Sequence, residues 1–152
     1  KLTKAGIAHR FILVGKGPLR EKIEEDLQKN GLEKDFVFAG YQTNPYRFIS
    51  HCDIFALPSY YEGFSTASTE ALILKKPCVV TECAGMHELF GENNEYGIVA
   101  KDDDEFCVAL SKMITDKDLR KRYALASAER GKLFSAEATL AAHEKLFDEL
   151  IK

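Results

Sequence analysis

The chain has 152 residues, 45% apolar and 30% charged, which is enough for one domain with its own core. Its 21 basic and 24 acidic residues leave a net charge of −3, which gives no support for binding to nucleic acid or an anionic membrane. No apolar run approaches the length of a membrane span and no signal-peptide pattern stands in the sequence. Cys52, Cys78, Cys83 and Cys107 form neither a Cys-x-x-Cys pair nor a metal-ligand spacing, and they read as reduced thiols of a cytosolic protein.

The opening Leu2-Thr3-Lys4-Ala5 reads as a helix tail stopped by Gly6, so further chain is expected upstream. The continuous run Phe11-Ile12-Leu13-Val14 predicts a strand buried on both faces. Gly15-Lys16-Gly17-Pro18 follows, and Pro18 suits the start of a helix that carries Leu19, Ile23 and Leu27 and stops at Asn30-Gly31. A dinucleotide fingerprint needs a third glycine where Arg20 stands, and a P-loop needs Ser or Thr where Gly17 stands. The glycines therefore mark a tight turn, with Lys16 beyond a strand end, where open parallel sheets bind ligands.

The next strand is 36–39, with Gly40-Tyr41-Gln42 at its carboxyl end, and Pro45 opens a helix that runs to His51. Residues 54–57 form a third strand, closed by Pro58-Ser59. A helix with Ala67, Ala71, Leu72 and Leu74 as its packing face ends at Lys75-Lys76-Pro77. Cys78-Val79-Val80-Thr81 is a fourth strand, Gly85 starts a short helix, Glu92 to Glu95 is a polar turn, and 96–99 is a fifth strand. Asp102 onward is helical. Phe106, Leu110, Met113 and Ile114 face inward, Asp118 caps the next helix with Leu119, Tyr123 and Leu125, and Ser135 caps a last helix after a break at Phe134. Strands alternating with helices predict an α/β, Rossmann-like parallel sheet with helices on both faces and additional C-terminal helices.

Glu62-Gly63-Phe64-Ser65-Thr66-Ala67-Ser68-Thr69-Glu70 joins the third strand to its helix. Ser65 or Thr66 can cap that helix, and its first amides then point beyond the strand end, a position that favours phosphate. Glu62 precedes the helix and Glu70 falls about one turn into it. Carboxylates repel phosphate but accept hydrogen bonds from sugar hydroxyls, so the stretch suits a phosphorylated polyol. A plain helix cap with two solvated glutamates fits the same spacing, and residue pattern alone leaves both readings open.

The Glu62-x7-Glu70 pattern with Gly63-Phe64 resembles the E-x7-E element of retaining glycosyltransferases of the GT-B fold, especially glycosyltransferase family 4. Phe11 to Pro18, Phe36 to Tyr41, Cys52 to Ser59 and Lys76 to Thr81 resemble family blocks in the family's order. The resemblance implies the C-terminal, donor-binding half of such an enzyme: one nucleotide-sugar-binding domain over residues 1–152. It also implies that the Gly-Arg-x4-Lys element that grips the diphosphate, the strand before it and the acceptor-binding N-terminal half lie outside this sequence. By position, Glu62 would act at the donor sugar as the catalytic residue. Gly63, Phe64, Ser65, Thr66 and Ala67 would meet sugar and diphosphate, Glu70 the ribose, and Gly40, Tyr41 and Gln42 the base. The implied co-substrate is a nucleotide-diphospho-sugar, UDP-sugar by default, with no cofactor and no metal. The partners would be a saccharide or lipid-linked acceptor in bacterial polysaccharide or lipopolysaccharide synthesis. The enzyme would be cytoplasmic, with peripheral contact at the inner membrane face left open, and the 152 residues alone would bind donor poorly and not turn over.

Competing chemistries are weaker. Asp102-Asp103-Asp104 contains the Asp-x-Asp of metal-dependent GT-A enzymes, but it precedes an amphipathic helix, where acids suit the positive dipole end. His87-Glu88 meets Gly91 where a zinc protease needs its second histidine. No Gly-x-Ser-x-Gly element provides a hydrolase nucleophile. The rival of another class is a non-catalytic nucleotide- or flavin-binding Rossmann-like module. A phosphoacceptor version needs an acid at a strand end, where this chain has Gly15, Gly40, Pro58 and Thr81.

Overall fold

The computed structural model describes residues 1–151, which group into two compact units, one from Lys1 to Phe48 and the other from Ile49 onward. All strand pairs are parallel, as alternation predicts, but they form two ladders: β1 (Phe11–Val14) with β2 (Phe36–Gly40), and β3 (Phe55–Leu57) with β4 (Cys78–Thr81) and β5 (Ile98–Ala100).

In the first unit a short 3-10 turn, Thr3–Ala5, ends at Gly6, whose φ of 68° lets its amide reach back to the Thr3 carbonyl. Phe11 pairs in register with Phe36, and their rings stack with centroids 5.0 Å apart. Helix α1 (Arg20–Lys29) brings the Arg20 guanidinium to within 5.2 Å of the Phe38 ring. Two expectations are corrected here. Strand β1 is not buried on both faces: Ile12 is 51% and Val14 39% exposed, because β1 has one hydrogen-bonded neighbour and the face bearing these residues and Val37 is uncovered. Helix α1 starts at Arg20 rather than Pro18. Residues 18 and 19 form a turn, and Leu19 at the N-cap has no side-chain acceptor to extend it. Of its apolar stripe only Leu27 is buried. Helix α2 (Tyr46–His51) follows Pro45 and crosses the boundary between the units.

The second unit holds the larger core. Strand β4 lies between β3 and β5 and is buried at every position, the pattern of a strand covered on both faces. Helix α3 (Thr66–Ile73) buries Ala71 and Leu72 completely. They join Cys78, Val80, Met86, Leu89, Phe90 and Val99 in one cluster, to which α4 (Met86–Phe90) contributes three side chains. Fully burying a side chain such as Leu72 contributes on the order of 1.5–3 kcal/mol. Lys75, at a φ of 61°, ends α3 by bonding its amide to the Leu72 carbonyl.

Helix α5 (Asp103–Thr115) buries Phe106, Ala109, Leu110 and Met113. Its N-cap is Asp102, whose carboxylate accepts from the amides of Asp104 (2.9 Å) and Glu105 (2.8 Å), so this aspartate run starts a helix. Helix α6 (Lys117–Gly131) is capped by Asp116, not Asp118: Asp116 accepts from the amides of Asp118 and Leu119, and Asp118 falls inside the first turn. Its packing face also differs from expectation. Leu125 is 66% exposed, and Tyr123, Ser127 and Gly131 are the buried residues.

From α6, Tyr123 donates to the Asn94 carbonyl (3.2 Å), Ser127 to that of Lys76 (2.7 Å), and Arg130 to those of Leu89 (3.0 Å) and Glu88. One helix thus ties down the segments after α3, α4 and the turn before β5. A 3-10 turn at Lys132–Phe134 leads to Ser135, which caps α7 (Ala136–Leu150) by accepting from the Ala138 amide. No helix among the described residues is long and apolar enough to cross a membrane.

Candidate functional site

The site grows from the end of β3. Leu57 leads into an irregular loop, 58–64, that no backbone–backbone hydrogen bond among the described residues ties down. The loop ends at Ser65, which is buried, holds extended backbone (φ −73°, ψ 101°) and accepts from the Ser68 amide with its hydroxyl (3.3 Å). The sequence allowed Ser65 or Thr66 as the cap, and the structure chooses Ser65. Thr69 donates to the Ser65 carbonyl (3.0 Å), tightening the first turn. The amides of Thr66 and Ala67, to which helix geometry offers no carbonyl, stand at the positive end of α3.

Glu62 lies three residues before this cap and is half-buried. Its Oε1 accepts from the Ser59 hydroxyl at 2.8 Å. Ser59 is itself fixed, because its carbonyl accepts from Thr81 Oγ1 (2.5 Å) at the buried end of β4. Gly63 is held from another side. Gly85, in the left-handed region at φ 78°, lies so close that a Cβ on it would sit 2.7 Å from the Gly63 carbonyl oxygen. Phe64 is half exposed, with its ring edge-on to Phe134 at 6.2 Å. Beside the loop, burial pushes the Cys83 thiol pKa up, and the negative charge of Glu62 pushes it further. Glu70 is the fifth residue of α3 and half-buried. The structure thus gathers 62–67 at one helix end, with Glu70 a turn along the same helix.

Gly40, Tyr41 and Gln42 belong to the first unit. Gly40, at a φ of 66°, ends β2, and its carbonyl accepts from the Gly15 amide (2.8 Å). Tyr41 is 66% exposed, with the Lys16 ammonium 5.3 Å from its ring centroid. Gln42 donates to the Ala39 carbonyl (2.6 Å) and accepts from Arg47 (3.2 Å). This strand end is polar and ordered by its own side chains.

Sequence reasoning missed Ser59, Thr81 and Gly85. A serine three residues before a glutamate in a loop is a local signal for the first, since short hydroxyl side chains bond nearby groups. The contacts of Thr81 and Gly85 join segments more than twenty residues apart, and no local pattern shows them.

The fold defines the class. Sucrose-phosphate synthase from Thermosynechococcus elongatus superposes with a TM-score of 0.79 over 92% of this chain and 38% of that one, at 24% identity. Anabaena HepE, solved with UDP-glucose, superposes with a TM-score of 0.77 over 91% of this chain and 41% of that one, at 23% identity. These likenesses speak to the fold alone, and it is the α/β fold of GT-B glycosyltransferases. The family follows from sequence: residues 1–130 match the model of glycosyl transferases group 1, and the chain belongs to that family. Among curated relatives, it is 31% identical over 128 residues to a Campylobacter jejuni N-acetylgalactosamine-N,N'-diacetylbacillosaminyl-diphospho-undecaprenol 4-alpha-N-acetylgalactosaminyltransferase. That match covers 82% of this chain and 35% of the relative. It is 30% identical over 138 residues to the lipopolysaccharide core biosynthesis glycosyltransferase LpsD of Rhizobium meliloti, covering 90% of this chain and 40% of LpsD. The chain therefore spans well under half the length of these relatives.

Proposed function

We propose that this chain is the donor-binding part of a retaining glycosyltransferase of family 4, which moves a sugar from a nucleotide-diphospho-sugar to an acceptor hydroxyl. The observation that carries the reading is the Ser65-capped start of α3, with Glu62 held just before it and Glu70 one turn in. The amides of Thr66 and Ala67 and the helix dipole offset diphosphate charge, Glu62 accepts from donor-sugar hydroxyls, and Glu70 accepts from ribose hydroxyls. Gly63, Phe64 and Ser65 line the approach between them. Gly40, Tyr41 and Gln42 are assigned to the base by resemblance, which Tyr41→Ala tests through nucleotide affinity.

In the reaction, the acceptor oxygen bonds to the anomeric carbon while the bond from that carbon to the diphosphate oxygen breaks. The diphosphate oxygen keeps the electron pair of the broken bond and takes up the acceptor hydroxyl's proton, and the nucleoside diphosphate departs from the face on which the acceptor enters, so configuration is kept. The helix start does the electrostatic work that a metal does in other glycosyltransferases. The alpha linkage in the name of the Campylobacter relative agrees with retention from an alpha-linked donor. UDP is the favoured nucleotide because a structural neighbour was solved with UDP-glucose, and polysaccharide or lipopolysaccharide assembly is favoured by the name of LpsD. We place the enzyme in the cytoplasm, acting on a saccharide or lipid-linked acceptor, and expect these 152 residues alone to be inactive.

A nucleotide-sugar screen with the full-length protein tests the assignment. Glu62→Gln and Glu70→Ala are each expected to lower transfer at least tenfold. Wild-type turnover in either variant removes that residue from the site.

A further inference from the structure

The loop that carries Glu62 meets Gly85 at Gly63, Phe134 at Phe64 and Asp103 at the Tyr60 hydroxyl (3.5 Å), but none of these contacts aims the Glu62 carboxylate. Tyr60 is 74% and Tyr61 94% exposed, and no backbone ladder reaches residues 58–64 among the described residues. A carboxylate on such a loop samples many directions, and a donor-binding group must be aimed before the donor arrives. One chain of contacts provides the aim. Thr81 is 6% exposed at the end of the buried strand β4, and its hydroxyl donates to the Ser59 carbonyl (2.5 Å). That fixes the Ser59 backbone, and the Ser59 hydroxyl donates to Glu62 Oε1 (2.8 Å). No hydrogen bond among the described residues reaches Glu62 Oε2.

We infer that Ser59 is a positioning residue: it spends its one hydroxyl proton on Oε1 and so turns Oε2 outward to accept from a donor-sugar hydroxyl. A serine hydroxyl has a single proton to donate, and an ionised carboxylate has two oxygens with room for about four bonds. The contact thus orients Glu62 without filling it. Buried β4 is the fixed point, Thr81 the anchor, Ser59 the pointer and Glu62 the group that touches ligand. This inference rests on the proposed donor site and adds a residue to it.

The test separates aim from folding by comparing two ligands on the full-length protein. Calorimetric dissociation constants are measured for UDP, GDP and ADP, and for UDP-glucose, GDP-mannose and ADP-glucose. The readout is the preference for the sugar conjugate over its free diphosphate. Ser59→Ala is expected to reduce that preference about tenfold, the scale of one charge-assisted hydrogen bond, with free-diphosphate affinity unchanged. Ser59→Thr, which keeps the hydroxyl, restores the preference, and Ser59→Cys, a weak donor of similar size, falls between. In a Glu62→Ala background, Ser59→Ala has no further effect.

If Ser59→Ala keeps the full preference while Glu62→Ala abolishes it, the positioning role is wrong and the donor site stands. Equal weakening of diphosphate and conjugate by Ser59→Ala shows a structural role and overturns the inference. If Glu62→Ala itself leaves the preference intact, or no pair binds, the donor-site reading falls and takes this one with it.

Discussion

Gly131 of α6 packs directly on the backbone of α3 at Leu72: a Cβ at position 131 would sit 2.5 Å from the Leu72 carbonyl oxygen, 2.7 Å from its carbon and 2.8 Å from the Ile73 nitrogen. All three atoms are main chain, so no side chain can swing away. Helix propensity favours alanine over glycine by about 1 kcal/mol, while overpacking costs about 1–3 kcal/mol. Contact wins here, because α3 is pinned against the core by Ala71 and Leu72 on its other side. Gly131→Ala is expected to destabilise the fold by about 1–2 kcal/mol in urea denaturation. A gain in stability would show that the two helices separate freely.

Ser127 is fully buried and donates to the Lys76 carbonyl at 2.7 Å, with the Tyr96 carbonyl at 3.3 Å. Ser127→Ala leaves the Lys76 carbonyl with only the weak Cys78 thiol donor, at 3.1 Å, in a dry place, which is expected to cost about 1 kcal/mol. The variant should show a lower urea midpoint with an unchanged m-value. A change in m-value would point instead to an altered unfolded or native compactness.

The adjacency of Cys83 and Glu62 has a chemical signature. Burial first, and the Glu62 charge second, raise the Cys83 thiol pKa, which lowers its thiolate fraction at neutral pH. Removing the charge reverses the second effect. Glu62→Gln is expected to speed iodoacetamide labelling of Cys83 at pH 8, read by mass spectrometry. Cys78 provides the internal reference: complete burial pushes its thiol far above the ordinary value, so it should label only when the domain unfolds. Equal Cys83 rates in the two proteins would mean that the carboxylate does not reach the thiol.

Glu95 sets a pH dependence. Hydrogen bonds from the Asn93 side chain and the Asn93 amide hold its pKa below the ordinary 4.5. A carboxyl whose folded pKa is depressed stabilises the fold fully above its unfolded value, and the contribution disappears as pH falls through the folded one. Wild type and Glu95→Ala should therefore differ in denaturation midpoint at pH 7 and converge as pH is taken well below 4.5. A gap that persists in acid would assign the effect to packing over Gly91, where the Glu95 side chain lies.

Much of this molecule was legible from local signals. Unbroken apolar runs at 11–14 and 78–81 gave the limits of β1 and β4 because parallel strands need no alternation, and Gly85, Asp102 and Ser135 marked helix starts through backbone and capping chemistry. A cap at Ser65 or Thr66, between Glu62 and Glu70, was readable for the same reason, and the structure selects Ser65. What escaped depends on neighbours distant in sequence. Whether both faces of β1 are covered is decided by what lies over Ile12 and Val14, not by the run itself. Asp116 and Asp118 are both good caps, and they stand only two positions apart. The Thr81 to Ser59 bond and the meeting of Gly85 with Gly63 arise only when β3, β4 and α4 come together.

The bonds from α6 end on carbonyl oxygens of Asn94, Lys76, Leu89 and Glu88, and every amino acid has one. The brace therefore follows the route of the main chain and ignores side-chain identity at those four positions. Point substitutions there leave the acceptors in place, while a single-residue insertion or deletion moves them out of reach. This brace thus restricts the connections in length, while composition is limited for separate reasons at Leu89, which is buried in the core, and at Asn94, whose side chain accepts from the Val99 amide.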